Sequence, residues 1–130
     1  MIATTTTSEL IKELQTICGE ANVFFDDESL KYYGHDETEK LLYPPDVAVK
    51  PATAEEISKI LRYCNEHLIP VTPRGAGTGL SGGAIPQNGG VVISIERLNK
   101  IIEIDERNLQ VMTEPGVITE VLQNTVKEKG

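Results

Sequence analysis

The stretch Thr72–Val92, "TPRGAGTGLSGGAIPQNGGVV", decides how this chain is read. It holds seven of the eleven glycines, and Arg74 is its only ionised side chain. Glycine loses more conformational freedom on folding than any other residue. An ordered loop must also satisfy its backbone amides and carbonyls. Concentrating glycine in one place therefore implies that the backbone itself is used there. Long loops without regular structure are uncommon in compact domains unless functional or disordered. A disordered linker would be richer in charge and serine. This one carries Leu80, Ala84 and Ile85, which favour burial.

Within it, "GTGLSG" (Gly77–Gly82) satisfies G-x-G-x-x-G. A Rossmann loop opens directly into a helix whose N-terminus meets a pyrophosphate. Here the chain runs on as "GAIPQNGG" (Gly83–Gly90), where Pro86 and the Gly89-Gly90 pair leave no room for an ordinary helix. A Walker loop fails because no Gly-Lys-Ser/Thr follows. The reading that fits is an anion cradle made of backbone, in which successive N–H groups point into one concavity. Gly75, Gly77 and Gly79 remove Cβ atoms that would block close approach. Thr78 adds a hydroxyl donor and Arg74 a fixed positive charge. Nothing in the loop can serve as acid, base or nucleophile, so it binds and does not react.

Outward from the loop the pattern is mixed α/β. "IPVTP" (Ile69–Pro73) reads as the strand before it and "VVISI" (Val91–Ile95) as the strand after it, apolar throughout as a strand covered on both faces is. Upstream, "DVAVKP" (Asp46–Pro51) is a further strand. Thr53 and Glu56 then have capping-box spacing ahead of a helix with the stripe Ile57, Ile60, Leu61, Cys64 and Leu68. A right-handed crossover is expected between these first two strands. Downstream, "IIEID" and "LQVMTE" flank "ERN" as a hairpin, with Asn108 tolerating the turn. Pro115 and Gly116 end it, and a last helix carries Ile118, Val121, Leu122 and Val126.

Residues 1–45 read as an N-terminal helical arm ahead of a main unit over 46–130. The four threonines at the start are a tail, and Ser8 caps a first helix with Leu10, Leu14 and Ile17 on one face and Gly19 as the stop. Val23–Phe25 is a short apolar run, and Asp26 or Asp27 caps a short helix carrying Leu30 and Tyr33.

The net charge of −8 argues against a nucleic-acid partner. The acidity is uneven: residues 1–69 carry 13 acids and 6 bases, residues 70–130 carry 7 and 6. The loop thus lies in the nearly neutral half, where an anion meets little repulsion. No apolar run approaches the roughly 20 residues of a membrane span, and the start lacks the basic and apolar segments of a secretory signal. Cys18 and Cys64 sit apart in helical patterns with no zinc spacing, which fits reduced thiols in a cytoplasmic protein. His67 ends a helix, where its charge favours the C-terminus; His35 lies in a polar connection.

"PRGAGTGLSGGAIP" (Pro73–Pro86) resembles the pyrophosphate-binding loop of FAD-linked oxidases of the vanillyl-alcohol-oxidase type (PCMH-type FAD-binding domain), nearest to the glycolate oxidase D-subunit and D-lactate dehydrogenase group. "YYGHDET", with Tyr33 and Asp36, "PDVAVKPATAEEISKIL" and "NKIIEIDERNLQVMTEPGV" resemble the same group in the same order, over roughly residues 25–130. The resemblance implies the first subdomain of a two-part FAD domain: a small, mainly parallel sheet flanked by helices, with a β-hairpin. It implies FAD with its pyrophosphate on Pro73, Arg74, Gly75, Ala76, Gly77, Thr78 and Gly79, with Leu80 and Ser81 as neighbours and Gly116 as a weaker candidate. Some relatives bond flavin through a histidine in this loop, about where Thr78 stands; threonine cannot, so non-covalent FAD is implied. The parent enzyme would take a hydride from the α-carbon of a D-2-hydroxy acid.

The second FAD subdomain and the substrate cap of that family are expected to follow Gly130. On this reading the chain has no catalytic residue and no metal, holds half a cofactor site, binds FAD weakly or not at all by itself, and self-associates through apolar surface meant for the other half. The alternative is a stand-alone, non-catalytic module that holds a nucleotide or assists assembly.

Overall fold

A computed structural model of the chain describes residues 6–130. Thr6 caps helix α1 (Thr7–Cys18): its hydroxyl accepts from the Glu9 amide, and the Glu9 carboxylate accepts from the Thr6 amide. The cap therefore falls on Thr6 and not on Ser8, because only Thr6 has an acid three residues on. Thr6 and Thr7 belong to the helix, while the rest of the expected threonine tail lies outside the described residues. Gly19 stops α1, and a 3₁₀ turn leads into strand β1 (Val23–Phe24). Asp26 caps α2 (Asp27–Tyr32) through the Ser29 amide.

Strand β2 (Val47–Val49) is followed by α3 (Ala54–Glu66), then β3 (Val71–Arg74) and β4 (Val91–Ser94). The sheet order is β1-β2-β4-β3, with β1 antiparallel to β2 and the other pairs parallel. The crossover through α3 therefore skips a place, and the glycine-rich stretch returns the chain to fill it as β4. Side chains alternate across the sheet. Val47, Val49, Val91 and Ile93 face Leu10, Leu14 and Cys18 of α1 and Ile60 and Cys64 of α3. Ala48 and Val92 face the other way, against Tyr33 at the end of α2. All four residues of β4 are buried, as its apolar sequence requires. Residues 7–45 thus contribute α1, β1 and Tyr33 to the same core as the strands that follow.

The α3 stripe is realised in part. Ile60 and Cys64 are buried, whereas Leu61 is 45% exposed and Leu68, past the helix end, takes a left-handed backbone and is 64% exposed. The antiparallel pair β5 (Ile101–Asp105) and β6 (Gln110–Thr113) forms the expected hairpin. Its left-handed residue is Leu109 and not Asn108, whose amide and side chain both donate to Asp105 instead. Helix α4 (Thr119–Lys127) closes the described chain. None of β5, β6 or α4 contains a buried residue. Among the described residues no helix is long and apolar enough to cross a membrane.

Candidate functional site

Beyond the carboxyl ends of β3 and β4 lies a cavity of about 570 Å³. Gly75, Ala76 and Thr78 form one wall, Ile95 and Glu96 after β4 another, and the turn Pro115–Glu120 into α4 the third. This is where ligands bind in open α/β sheets. Asp46 ties down the far end of the loop: its carboxylate accepts from the Gly90 amide at 2.8 Å and its own amide donates to the Gly90 carbonyl at 2.9 Å.

Of the residues expected from the sequence, Gly75, Ala76 and Thr78 line the cavity. Pro73 lies in β3, and Leu80 and Ser81 are exposed farther along the loop. No chain atom lies within 4 Å of where a Gly75 side chain would start. The fold of the described residues therefore does not require glycine there. Gly77 differs. Its φ is +73°, and a Cβ would run into the Arg74 guanidinium. Among the described residues, no acceptor takes the amides of Ala76 through Ser81. These donors, with the Thr78 hydroxyl, are what an anion would meet.

Arg74 is turned under the loop. It is 4% exposed, and its Nη1 donates to the His35 carbonyl at 2.6 Å. Its guanidinium sits 5.2 Å from the ring centre of Tyr32 and 5.6 Å from that of Tyr33. Register explains the direction: Arg74 pairs with Ser94 in a parallel ladder, which sets it on the Val92–Tyr33 face of the sheet. Arg74 does not line the cavity.

The cavity's own charges are acidic. Glu96 accepts from Tyr33 Oη at 3.2 Å and Ser94 Oγ at 2.9 Å, and pairs with Lys50 Nζ at 3.2 Å. Burial pushes the Glu96 carboxyl up, but these three partners together hold it below the ordinary carboxylate range. Burial, then Glu96, pushes the Tyr33 phenol up, so it stays a donor. Glu120, in the first turn of α4, lines the same wall, and no side chain caps that helix. The open amides at an uncapped helix start are also donors for an anion. Sequence reasoning missed Tyr32, Glu96 and this helix start; only Gly116 pointed toward the third wall. His35 is exposed beside Tyr32, and His67 caps the end of α3 against Tyr63. Cys18 and Cys64 are buried, and burial pushes both thiols up to about 11.

A small, mostly parallel sheet with a cavity at its carboxyl edge, walled by a glycine loop, has the arrangement common to nucleotide-binding α/β folds. The chain belongs to the FAD binding domain family, whose model matches residues 45–130. It is 40% identical over 126 residues to the glycolate oxidase subunit GlcD of Bacillus subtilis, covering 95% of this chain and 26% of that protein. It is 37% identical over 127 residues to a D-lactate dehydrogenase of Anaerostipes hadrus, with 95% and 26% covered. Among solved structures, p-cresol methylhydroxylase with substrate bound superposes with a TM-score of 0.83 at 28% identity, covering 94% of this chain and 24% of that one. The resemblance drawn from the loop motifs and the fold it implied both hold. The chain spans about a quarter of the length of the curated relatives it matches.

Proposed function

We propose that the chain holds the diphosphate of FAD, non-covalently, on the loop from Pro73 to Ser81. On this reading residues 46–130 are the first half of an FAD domain, with the preceding segment packed on it. The carrying observation is the coincidence at Gly75–Thr78 of unpaired amides, a glycine the fold does not need, and an adjoining cavity. Backbone amides and the Thr78 hydroxyl give the donors, while Arg74 supports the loop from below. Glu96 is compensated by Lys50, so it repels a diphosphate less than a free carboxylate would.

Bound FAD would supply hydride acceptance, from the α-carbon of a D-2-hydroxy acid in the parent enzyme. Names of the relatives support that substrate class. On this reading the chain's share is to position the cofactor, which carries the redox chemistry. Buried thiols fit a reducing, cytoplasmic setting. The apolar residues exposed on the hairpin and α4, among them Ile102, Met112 and Val121, favour self-association of the isolated chain. A single monomeric species across a wide concentration range in ultracentrifugation would remove that part.

The test of the cradle is Gly75→Val, assayed by titrating FAD, with inorganic pyrophosphate as a second probe. The substitution meets open space and leaves the melting temperature within a few degrees of the parent. Its Cβ enters the cradle, so FAD binding weakens about ten-fold or more. Unchanged affinity with an intact fold removes Gly75 from the site.

A further inference from the structure

We propose that the His35–Thr38 turn, with Arg74, is a latch that positions the cofactor loop. This rests on reading Gly75–Thr78 as the cradle. The loop's own middle makes no ladder bonds, yet one distant segment grips it at successive points. Arg74 Nη1 donates to the His35 carbonyl at 2.6 Å, the Glu37 amide to the Gly79 carbonyl at 3.1 Å, and the Gly82 amide to Thr38 Oγ1 at 3.0 Å. These contacts join residues 39 to 44 apart in sequence. The turn is itself fixed by Asp36, whose Oδ1 accepts from the Thr38 amide at 2.7 Å.

Burial marks the latch as built. Asp36 is 5% exposed and Arg74 is 4% exposed, in a region where the loop above them is open to solvent. Asp36 Oδ2 is buried without a hydrogen-bond partner, beneath Gly79. A buried carboxylate is retained only where its charge is compensated. Here the Thr38 hydroxyl and amide, then the Gly82 amide and the Arg74 charge, favour the ionised form against desolvation. Arg74 and Asp36 thus offset each other inside the latch. Arg74 is a positioning residue and not an anion ligand: its guanidinium lies where a Gly77 side chain would start, so the loop passes close over it. Because the grips fall at Arg74, Gly79 and Gly82, the stretch between them is held in place before a ligand arrives. Preorganisation of that kind improves affinity by lowering the ordering cost of binding.

The experiment uses the whole chain and reads two quantities, amide exchange at Gly82 and FAD affinity. Thr38→Val keeps the shape and removes the acceptor. Gly82 exchange should rise and FAD affinity fall, each about five- to ten-fold, with the melting temperature nearly unchanged. Thr38→Ser restores the acceptor and should restore both. Should Thr38→Val fold poorly, Asp36→Asn reads the same exchange while keeping the carboxamide in place of the carboxylate. Unchanged Gly82 protection in a folded variant overturns the latch whatever FAD does. Loss of affinity that Thr38→Ser does not recover also overturns it. If protection falls as expected but Gly75→Val leaves FAD affinity unchanged, the latch stands and the cradle reading falls.

Discussion

The chain is built of two regions that look equally regular in sequence and are unequally finished in space. In the first, through Leu98, α1 and α3 cover one face of the sheet and Tyr33 the other, and β4 is wholly buried. In the second, the hairpin and α4 pair and coil correctly, yet no residue of them is buried. Val121 of α4 is 51% exposed, while Ile60 of α3 is fully buried, although both sit on helical apolar stripes. An apolar stripe predicts that a helix forms; it does not say that the chain in hand supplies what covers it.

The largest test of this contrast compares Ile60→Ala with Val121→Ala in urea unfolding. The first removes packed atoms from the closed core and should cost about 2–5 kcal/mol. The second removes atoms that already touch water and should stay within about 0.5 kcal/mol. Equal costs would mean that the second region has a core after all.

The junction gives the next effect. The Gly116 amide donates to the Leu98 carbonyl at 2.7 Å, and a Cβ there would strike the Ile95 and Leu98 carbonyl oxygens. Gly116→Val should therefore unseat the hairpin and α4 at a cost of about 1–3 kcal/mol. Hydrogen exchange separates this from global damage: amides in β5, β6 and α4 should quicken, while those of β2 and β4 keep their protection. Uniform acceleration along the chain would show that the two regions unfold as one.

What could be read in advance follows the same division between local and distant causes. Strands β2 and β4, helix α3 and the hairpin announce themselves by period and turn chemistry. The Thr6 cap was legible too, since Thr6 and Glu9 have the capping-box spacing that Ser8 lacks. Other features had no local signal. β4 enters between β2 and β3 because of long-range pairing. Arg74 points under the loop only once its register with Ser94 is fixed. Leu109 takes the left-handed position although leucine is not a residue type that favours it. In the site, the glycine wall was visible as composition, whereas Tyr32, Glu96 and the α4 start arrive from elements far apart in sequence.

Acid is the gentlest probe of the two regions, and it asks whether a carboxylate's partners are near or far. Glu96 binds Tyr33, 63 residues away, and Lys50, so it ties α2 and β2 to the end of β4. Asp105 reaches Asn108, three residues on. Both carboxyls lie below their ordinary values: Glu96 against burial through Ser94, Lys50 and Tyr33, Asp105 through the Asn108 side chain and amide. A carboxyl depressed in the folded state adds stability above its unfolded value, and this is lost as pH falls toward and through the folded one. As pH falls from about the unfolded glutamate value, roughly 4.3, through the lower folded one, protonating Glu96 should lower the melting temperature of the closed region slightly, and Glu96→Gln should flatten that slope. Asp105→Asn should leave the melting slope alone and change only the exchange of the hairpin turn. If Asp105→Asn flattens the melting curve as much as Glu96→Gln, the hairpin carries global stability and the contrast between a closed and an open region fails.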